Sequence, residues 1–301
     1  MGHYKRITVE PITGTIGAEI GDVDLTRLDA ETVAEIRAAF LEHCVVFFRD
    51  QPLEIPQLKE FAGHFGPFGI EPYVKTMEDH PEVIAVVKEA DEVNAINFGG
   101  HWHSDWSLQE NPPLATILHG TDIPPYGGDT LFANSYLAYE TLSDGMKAIV
   151  DPLIAIHSAR KPYGTGKSLL GSKERRSMTI LHSEEAHAEM EHPLVRIHPE
   201  TGKKLLYINP VYTVRLKGMS EKDSSEILDK LFRHSINEIF TCRFRWRKNS
   251  VAMWDNRCVM HLALNDYDGH RREMHRVTIA GDRPYGEAMP RNIESPERMS
   301  S

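Results

Sequence analysis

Residues 101–106 read HWHSDW, and within them His103 and Asp105 stand two apart. Side chains at i and i+2 of a pleated strand leave the same face, so a strand here predicts an imidazole and a carboxylate pointing together. A nitrogen donor beside a hard oxygen donor makes two corners of a divalent metal site. Trp102 and Trp106 alternate with these residues and are expected on the opposite face, packed between sheet and helix as scaffold. His101 is expected at the rim or behind the ligands, not as a ligand itself.

A third corner must come from elsewhere. The chain has 16 histidines, so spacing alone cannot pick the partner. His261 stands out by its neighbours: in WDNRCVMHLALNDYDGHRREMHRVTIAGDRP it follows one predicted strand and precedes another that carries Arg272 and Arg276. Four apart on a strand, the two arginines share a face with Met274 and Thr278. A buried guanidinium needs an anionic partner and matches carboxylates through paired hydrogen bonds. Taken alone, these residues suit internal ion pairs as well as a small-molecule anion. Neither HExxH nor an obvious general-base glutamate accompanies the pair, which argues against a catalytic zinc site.

The segments GGHWHSDWSL and WDNRCVMHLALNDYDGHRREMHRVTIAGDRP closely resemble the taurine dioxygenase-like (TauD/TfdA) family of Fe(II)/2-oxoglutarate-dependent dioxygenases. The stretches PPYGGDTLFANSYLAYETLS and LLYINPVYTVRLKGMSEKDSSEIL resemble the same family, as does the opening ITVEPITGTIGAEIGDVDL. The resemblance implies that His103, Asp105 and His261 hold Fe(II), leaving positions for a bidentate 2-oxo acid and for O2. It implies further that Arg272 clamps the distal carboxylate of 2-oxoglutarate with Thr130, in GGDT, as hydroxyl partner, and that Arg276 faces a substrate anion. The expected reaction hydroxylates a small anionic substrate (a sulfonate, sulfate ester, aryloxy acid or other carboxylate) while 2-oxoglutarate is decarboxylated to succinate and CO2.

Two positions depart from the taurine pattern. Where taurine enzymes place a histidine and an asparagine, this chain offers Glu71 and Gly99. A donor is thereby replaced by an acceptor-only carboxylate, which argues against taurine itself. Tyr73 and Tyr212 are candidate aromatic walls of the substrate pocket, and Arg160, Lys161 and Tyr163 are candidates for further contacts. Two readings compete with an anionic substrate: the same iron chemistry on an amino acid or secondary metabolite, and a non-catalytic metal-binding jelly roll. The complete ligand set with Arg272 and Thr130 stands against the second.

The elements that must position these residues follow from patterning. Asp29 to His43 sets Val33, Ile36, Phe40 and Leu41 at helical spacing, and CVVFFRD reads as a buried strand after it. A second helix is predicted from Ile55 to Phe65, ended by Gly66-Pro67, and others around Asn134 to Val150 and Ser220 to Ile236. Val83 to Val87, Ala115 to His119, KLLYIN, SVAMWDN and MHRVTIAGD read as strands. The polar, weakly periodic segment from Ser158 to His192 is expected to be an inserted loop or lid. Strands with flanking helices predict a mainly β (α+β) chain with a double-stranded β-helix, or cupin-like jelly-roll, core.

Composition sets the outer bounds. The 301 residues, 41% hydrophobic and 26% charged, contain no linker-like stretch and are expected to form one catalytic domain. A net charge of -10 argues against a nucleic-acid partner. No stretch reaches the roughly 20 apolar residues of a membrane span, and the start lacks a signal-like apolar run, so a cytoplasmic enzyme with a small-molecule partner is expected. Cys44, Cys242 and Cys258 form no disulfide framework and are expected to pack as small apolar groups. Homo-oligomers, dimers or tetramers, are implied by the resemblance alone.

Overall fold

The computed structural model describes residues 4–93, 96–166, 168–170 and 176–291. Among them, seven strands form the larger sheet in the order Thr8–Pro11, Ala18–Gly21, Val45–Phe48, Val251–Asp255, Ala115–Asp122, Arg272–Ile279 and Val83–Lys88. A smaller sheet has Thr130–Asn134 at its centre, flanked by Thr241–Phe244 and Val259–Ala263. The two close on one another as the predicted jelly-roll core.

Period-two patterning explains the closure. Along Val251–Asp255, Val251 and Met253 join the outer cluster with Ile36, Phe40 and Phe61 of the helices, whereas Ala252 and Trp254 join Phe47, Phe132 and Phe244 between the sheets. Ala115–Asp122 divides in the same way: Ala115 and Ile117 face outward and Leu118 inward. On Arg272–Ile279, Met274 faces the space between the sheets while Val277 and Ile279 lie under the helices. The even-numbered face of that strand, with both arginines, is therefore turned into the barrel, as the spacing predicts. Phe47 stacks on Phe244 at 4.0 Å and meets Phe132 edge-on at 5.5 Å, which closes the barrel beneath the site.

Helices cover the outer face. Ala30–His43 begins at Asp29, whose carboxylate accepts from the Thr32 backbone N–H, and ends at Cys44 in the left-handed region (φ 66°). Ile55–Gly63 opens with a capping box between Glu54 and Gln57. The helical stretch expected from Asn134 to Val150 is two short helices, Ser135–Glu140 and Asp144–Val150, because Asn134 and Ser143 each start a separate cap. Glu221–Ser235 starts from Ser220 and buries Leu228 and Leu231.

Within 158–192 the outcome is mixed. Residues 167 and 171–175 lie outside the described set, but the remainder includes a short helix, Arg160–Tyr163, and a strand, Met190–Pro193. That strand pairs with Ile154–His157, and Ser158 and His192 are fully buried. The sequence MEHP has no period-two alternation, so nothing local announces it as a strand.

Three cysteines are free and buried, as expected of small apolar packing groups. Near two of them lies a buried ion-pair network. Asp255 accepts from Arg257 Nε at 2.8 Å and NH2 at 2.6 Å and pairs with His198 Nε2 at 3.0 Å, while Arg257 NH1 reaches Glu200 at 2.6 Å. Arg257→Ala leaves Asp255 buried without its guanidinium and is expected to destabilise the fold by about 3–5 kcal/mol. Urea unfolding of the two proteins would read this directly, and an unchanged midpoint would refute it.

Candidate functional site

HWHSDW is not a strand. His103 makes one antiparallel bridge to His261, its N–H donating to the His261 carbonyl at 3.0 Å and its carbonyl accepting at 2.8 Å. The chain then turns at once, with Trp106 in the left-handed region (φ 46°). The metal-ligand expectation survives this change of backbone. His103 Nε2 stands 3.4 Å from Asp105 Oδ1, and His261 Nε2 stands 3.9 Å from the same oxygen. One donor atom from each residue lies within 4.8 Å of the others.

Two of the three candidate ligands are anchored through their far atoms, whereas the buried Nδ1 of His261 has no partner among the described residues. His103 Nδ1 donates to the His101 carbonyl at 2.7 Å, which leaves the Nε2 lone pair facing the site and gives His101 its supporting place. Asp105 Oδ2 accepts the Thr116 hydroxyl at 2.6 Å. Thr116 Oγ1 accepts from Asn256 Nδ2 at 2.8 Å, and Asn256 Oδ1 accepts from Trp254 Nε1 at 2.9 Å. Burial alone would raise the Asp105 carboxyl, but Arg276 and the imidazoles of His261 and His103 hold it well below the usual carboxylate range. Burial and the neighbouring His103 push His261 well below its usual range, so its ring stays neutral. Two imidazoles and one carboxylate fit a divalent metal of the iron type.

A second buried set, His198, Asp255 and Cys258, also brings donor atoms together. Both nitrogens of His198 are already engaged there, Nε2 by Asp255 and Nδ1 by the backbone N–H of Thr201 at 3.1 Å. That cluster is part of the fold's ion-pair network.

Beside the ligands lies a cavity whose walls include Leu118, Thr130, Trp254, His261 and Arg272. Arg272 is buried between the rings of Trp246 and Tyr267, at 5.9 and 5.8 Å, and NH2 donates to the Gly128 carbonyl at 3.1 Å. Its Nε has no partner, and it forms no ion pair with any described residue. Burial lowers its pKa, the direction expected of a cation still lacking its anion. Thr130 Oγ1 accepts from Trp246 Nε1 at 2.9 Å, which leaves its own O–H to donate into the cavity. Arg272 and Thr130 thus reach one cavity from two different sheets.

A second cavity shares Phe98, Gly99, His103, Asp105 and Arg276 with the first and adds Trp106, Tyr163 and Tyr212 to its walls. Arg276 NH2 is 3.0 Å from Asp105 Oδ1 and NH1 is 3.5 Å from Glu71 Oε2. Burial works against the Arg276 charge, but the two carboxylates more than offset it and raise its pKa. Glu71 shows the opposite balance: burial raises it, against the pull of Arg276. Trp106, expected as scaffold on the far face, points into this cavity; the turn that replaces the strand rotates its indole inward, 5.5 Å from the Arg276 guanidinium.

The remaining predicted residues divide. Tyr212 and Tyr163 line the cavity, and Gly99 lines it too, at φ 78°, a backbone conformation that favours glycine. Tyr73 stacks on Tyr163 at 4.9 Å and lies behind the wall instead of in it. Arg160 pairs with Glu221 at 2.6 Å, and Lys161 donates to the backbone carbonyls of Pro210 and Thr213 at 2.9 and 3.3 Å, so both brace the loop. Thr116, Asn256 and Phe98 were missed by sequence reasoning. Thr116 carried the weakest signal, a single hydroxyl inside an apolar strand.

Comparison with known proteins agrees with this geometry. The family model described as taurine catabolism dioxygenase TauD, TfdA family matches residues 8–278. An alpha-ketoglutarate-dependent sulfate ester dioxygenase of Pseudomonas putida is 36% identical, over 94% of this chain and 93% of its own length. An alkylsulfatase of Acinetobacter baylyi is 34% identical, over 92% and 86% respectively. Among solved structures, a taurine dioxygenase from Burkholderia xenovorans superposes with a TM-score of 0.79 at 38% identity, covering 95% of this chain and 93% of that one.

Removing the anchor of Asp105 should show in metal binding before anything else. Thr116→Val is expected to weaken divalent-metal affinity about 10–100-fold with little loss of fold. Calorimetric titration of the purified protein measures it, and wild-type affinity in the variant would deny Thr116 its anchoring role.

Proposed function

The chain belongs to the taurine catabolism dioxygenase TauD, TfdA family and is a 2-oxoglutarate-dependent dioxygenase, and from that premise we propose that it uses Fe(II) to hydroxylate organic anions with an apolar body, sulfate esters foremost. His103, Asp105 and His261 would hold the iron. The observation that carries the reading is Arg272: a buried guanidinium with an unpartnered Nε and no ion pair to a described residue, at the wall of a cavity that all three candidate metal ligands help to close. Such a cation needs a carboxylate from outside the chain.

Bound iron supplies the dioxygen activation that couples decarboxylation of 2-oxoglutarate to hydroxylation of a C–H bond. The chain's residues supply position. Arg272 and the Thr130 hydroxyl receive the distal carboxylate of 2-oxoglutarate. Arg276 offers its N–H groups to the substrate anion, and Phe98, Trp106, Tyr163 and Tyr212 exclude water around the carbon to be attacked. When the hydroxylated carbon bears a sulfate ester, its C–O bond to sulfate breaks, giving a carbonyl compound and inorganic sulfate. That step requires no nucleophilic side chain.

Two facts favour sulfate esters over taurine. Glu71 and Gly99 supply no hydrogen-bond donor from their side chains, and the relatives named above include a sulfate ester dioxygenase and an alkylsulfatase. In this reading the whole chain is one catalytic domain working in the cytoplasm. The three free cysteines accord with a reducing compartment, and among the described residues no helix is long and apolar enough to cross a membrane.

Anaerobic addition of Fe(II) and then 2-oxoglutarate is expected to produce a visible metal-to-ligand charge-transfer band. Admission of air with an alkyl sulfate should then release succinate and sulfate in equal amounts. Arg272→Ala should keep the iron but weaken 2-oxoglutarate binding, whereas Asp105→Ala should lose the iron. Iron loss in the arginine variant alone would contradict the assignment.

A further inference from the structure

One carboxylate beside the site takes part in none of these steps. The Glu71 side chain is 3% exposed. Its Oε2 accepts the Trp106 indole N–H at 2.6 Å and lies 3.5 Å from Arg276 NH1, and its Oε1 accepts the Thr278 hydroxyl at 2.9 Å. Two hydrogen bonds and the flanking guanidinium hold it in place.

Its consequence falls on Arg276. That guanidinium is the single lysine or arginine on the wall of the substrate-side cavity among the described residues; the rest of the wall is mostly aromatic or aliphatic. It is flanked by Asp105 at 3.0 Å as well as by Glu71, yet neither terminal nitrogen makes an aligned hydrogen bond. The N–H donors are therefore present for a ligand while the positive charge is already matched. With a metal on Asp105, that carboxylate's charge serves the metal, and Glu71 remains as the counterion of Arg276. A singly charged ligand then finds donors in a pocket that is neutral at that point. A second charge on the same ligand would meet no surplus cation and would feel the buried Glu71 through a poorly screening interior.

We propose that Glu71 is a specificity-determining residue that acts through Arg276 to limit the bound substrate to one negative charge, admitting sulfate esters and sulfonates and refusing phosphate monoesters of the same shape. The proposal rests on Arg276 as the contact for the substrate anion. Sulfate and phosphate monoesters are near-isosteric tetrahedral anions, and above the second phosphate ionisation, at about pH 6, they differ by roughly one charge. Shape cannot separate them in an open apolar pocket, whereas a fixed carboxylate can.

The test is anaerobic calorimetry at pH 8 on the metal- and 2-oxoglutarate-loaded enzyme, with an alkyl sulfate and the alkyl phosphate of equal chain length. The wild type should bind the sulfate more tightly. Glu71→Gln keeps an acceptor for Trp106 but removes the charge, and it should tighten the phosphate more than the sulfate, narrowing the ratio about tenfold. An unchanged ratio, or equal weakening of both ligands, would overturn the filter and leave Glu71 as a strut. Arg276→Gln separates the two levels of argument: weakened binding of both esters upholds Arg276 as the anion contact, and unaltered binding of both would remove the reading on which the filter rests. If Glu71→Gln does not fold, Glu71→His, neutral at pH 8 and able to accept from the indole, answers the same question.

Discussion

The metal site depends on keeping the two oxygens of Asp105 in different company. Oδ2 belongs to the protein, through the Thr116 hydroxyl and the Asn256 amide behind it. Oδ1 is left for the metal and for Arg276. A hydrogen bond to a charged acceptor is worth about 1.5–3 kcal/mol, modest against the whole fold, but here its direction matters more than its size. Thr116 comes from the centre of the larger sheet, Asn256 from the turn after Val251–Asp255, and His261 from the smaller sheet. Four separate pieces of chain thus meet on one carboxylate, and the site exists only when the two sheets are closed.

The two arginines show how one strand can make two different binding sites. They share a face, and four residues of strand set their Cα atoms about 13 Å apart. Arg272 makes no ion pair with a described residue, and burial lowers its pKa. Arg276 lies between two carboxylates that raise its pKa. The first site therefore demands an incoming anion in order to be stable, whereas the second is already balanced and gains from a ligand mainly through hydrogen bonds and apolar contact. This electrostatic contrast separates the two arginines more than their surroundings do, because both stand on the wall of one shared cavity.

How much of this was legible in the sequence varied with the range of the interaction. The face shared by Arg272, Met274, Arg276 and Thr278 follows from strand alternation, and the strand obeys it. The convergence of His103 and Asp105 was expected through the wrong backbone. A strand was expected, while a single bridge and a turn do the work, because the bonds fixing that turn come from residues 151 and 155 positions away. Trp106 was misplaced for the same reason. Thr116 and Asn256 carry no local mark at all; only the register between Ala115–Asp122 and Val251–Asp255 brings them together. Glu71 was singled out by the resemblance, but its three partners lie at positions 106, 276 and 278, and no local pattern could have supplied them.

Trp106 ties these observations together. A non-glycine residue in the left-handed region costs on the order of 1–3 kcal/mol, and it persists only where its surroundings over-determine it. Here the indole N–H is held by Glu71, its ring faces Arg276, and Tyr163 and Tyr212 pack on either side at 5.6 and 6.4 Å. The residue immediately before it is the metal ligand Asp105. Any movement of the substrate-side wall must therefore act on the backbone of that ligand, and the reverse also holds. The strained turn thereby couples Asp105 on one side to Glu71 and Arg276 on the other, so that neither can shift without the other.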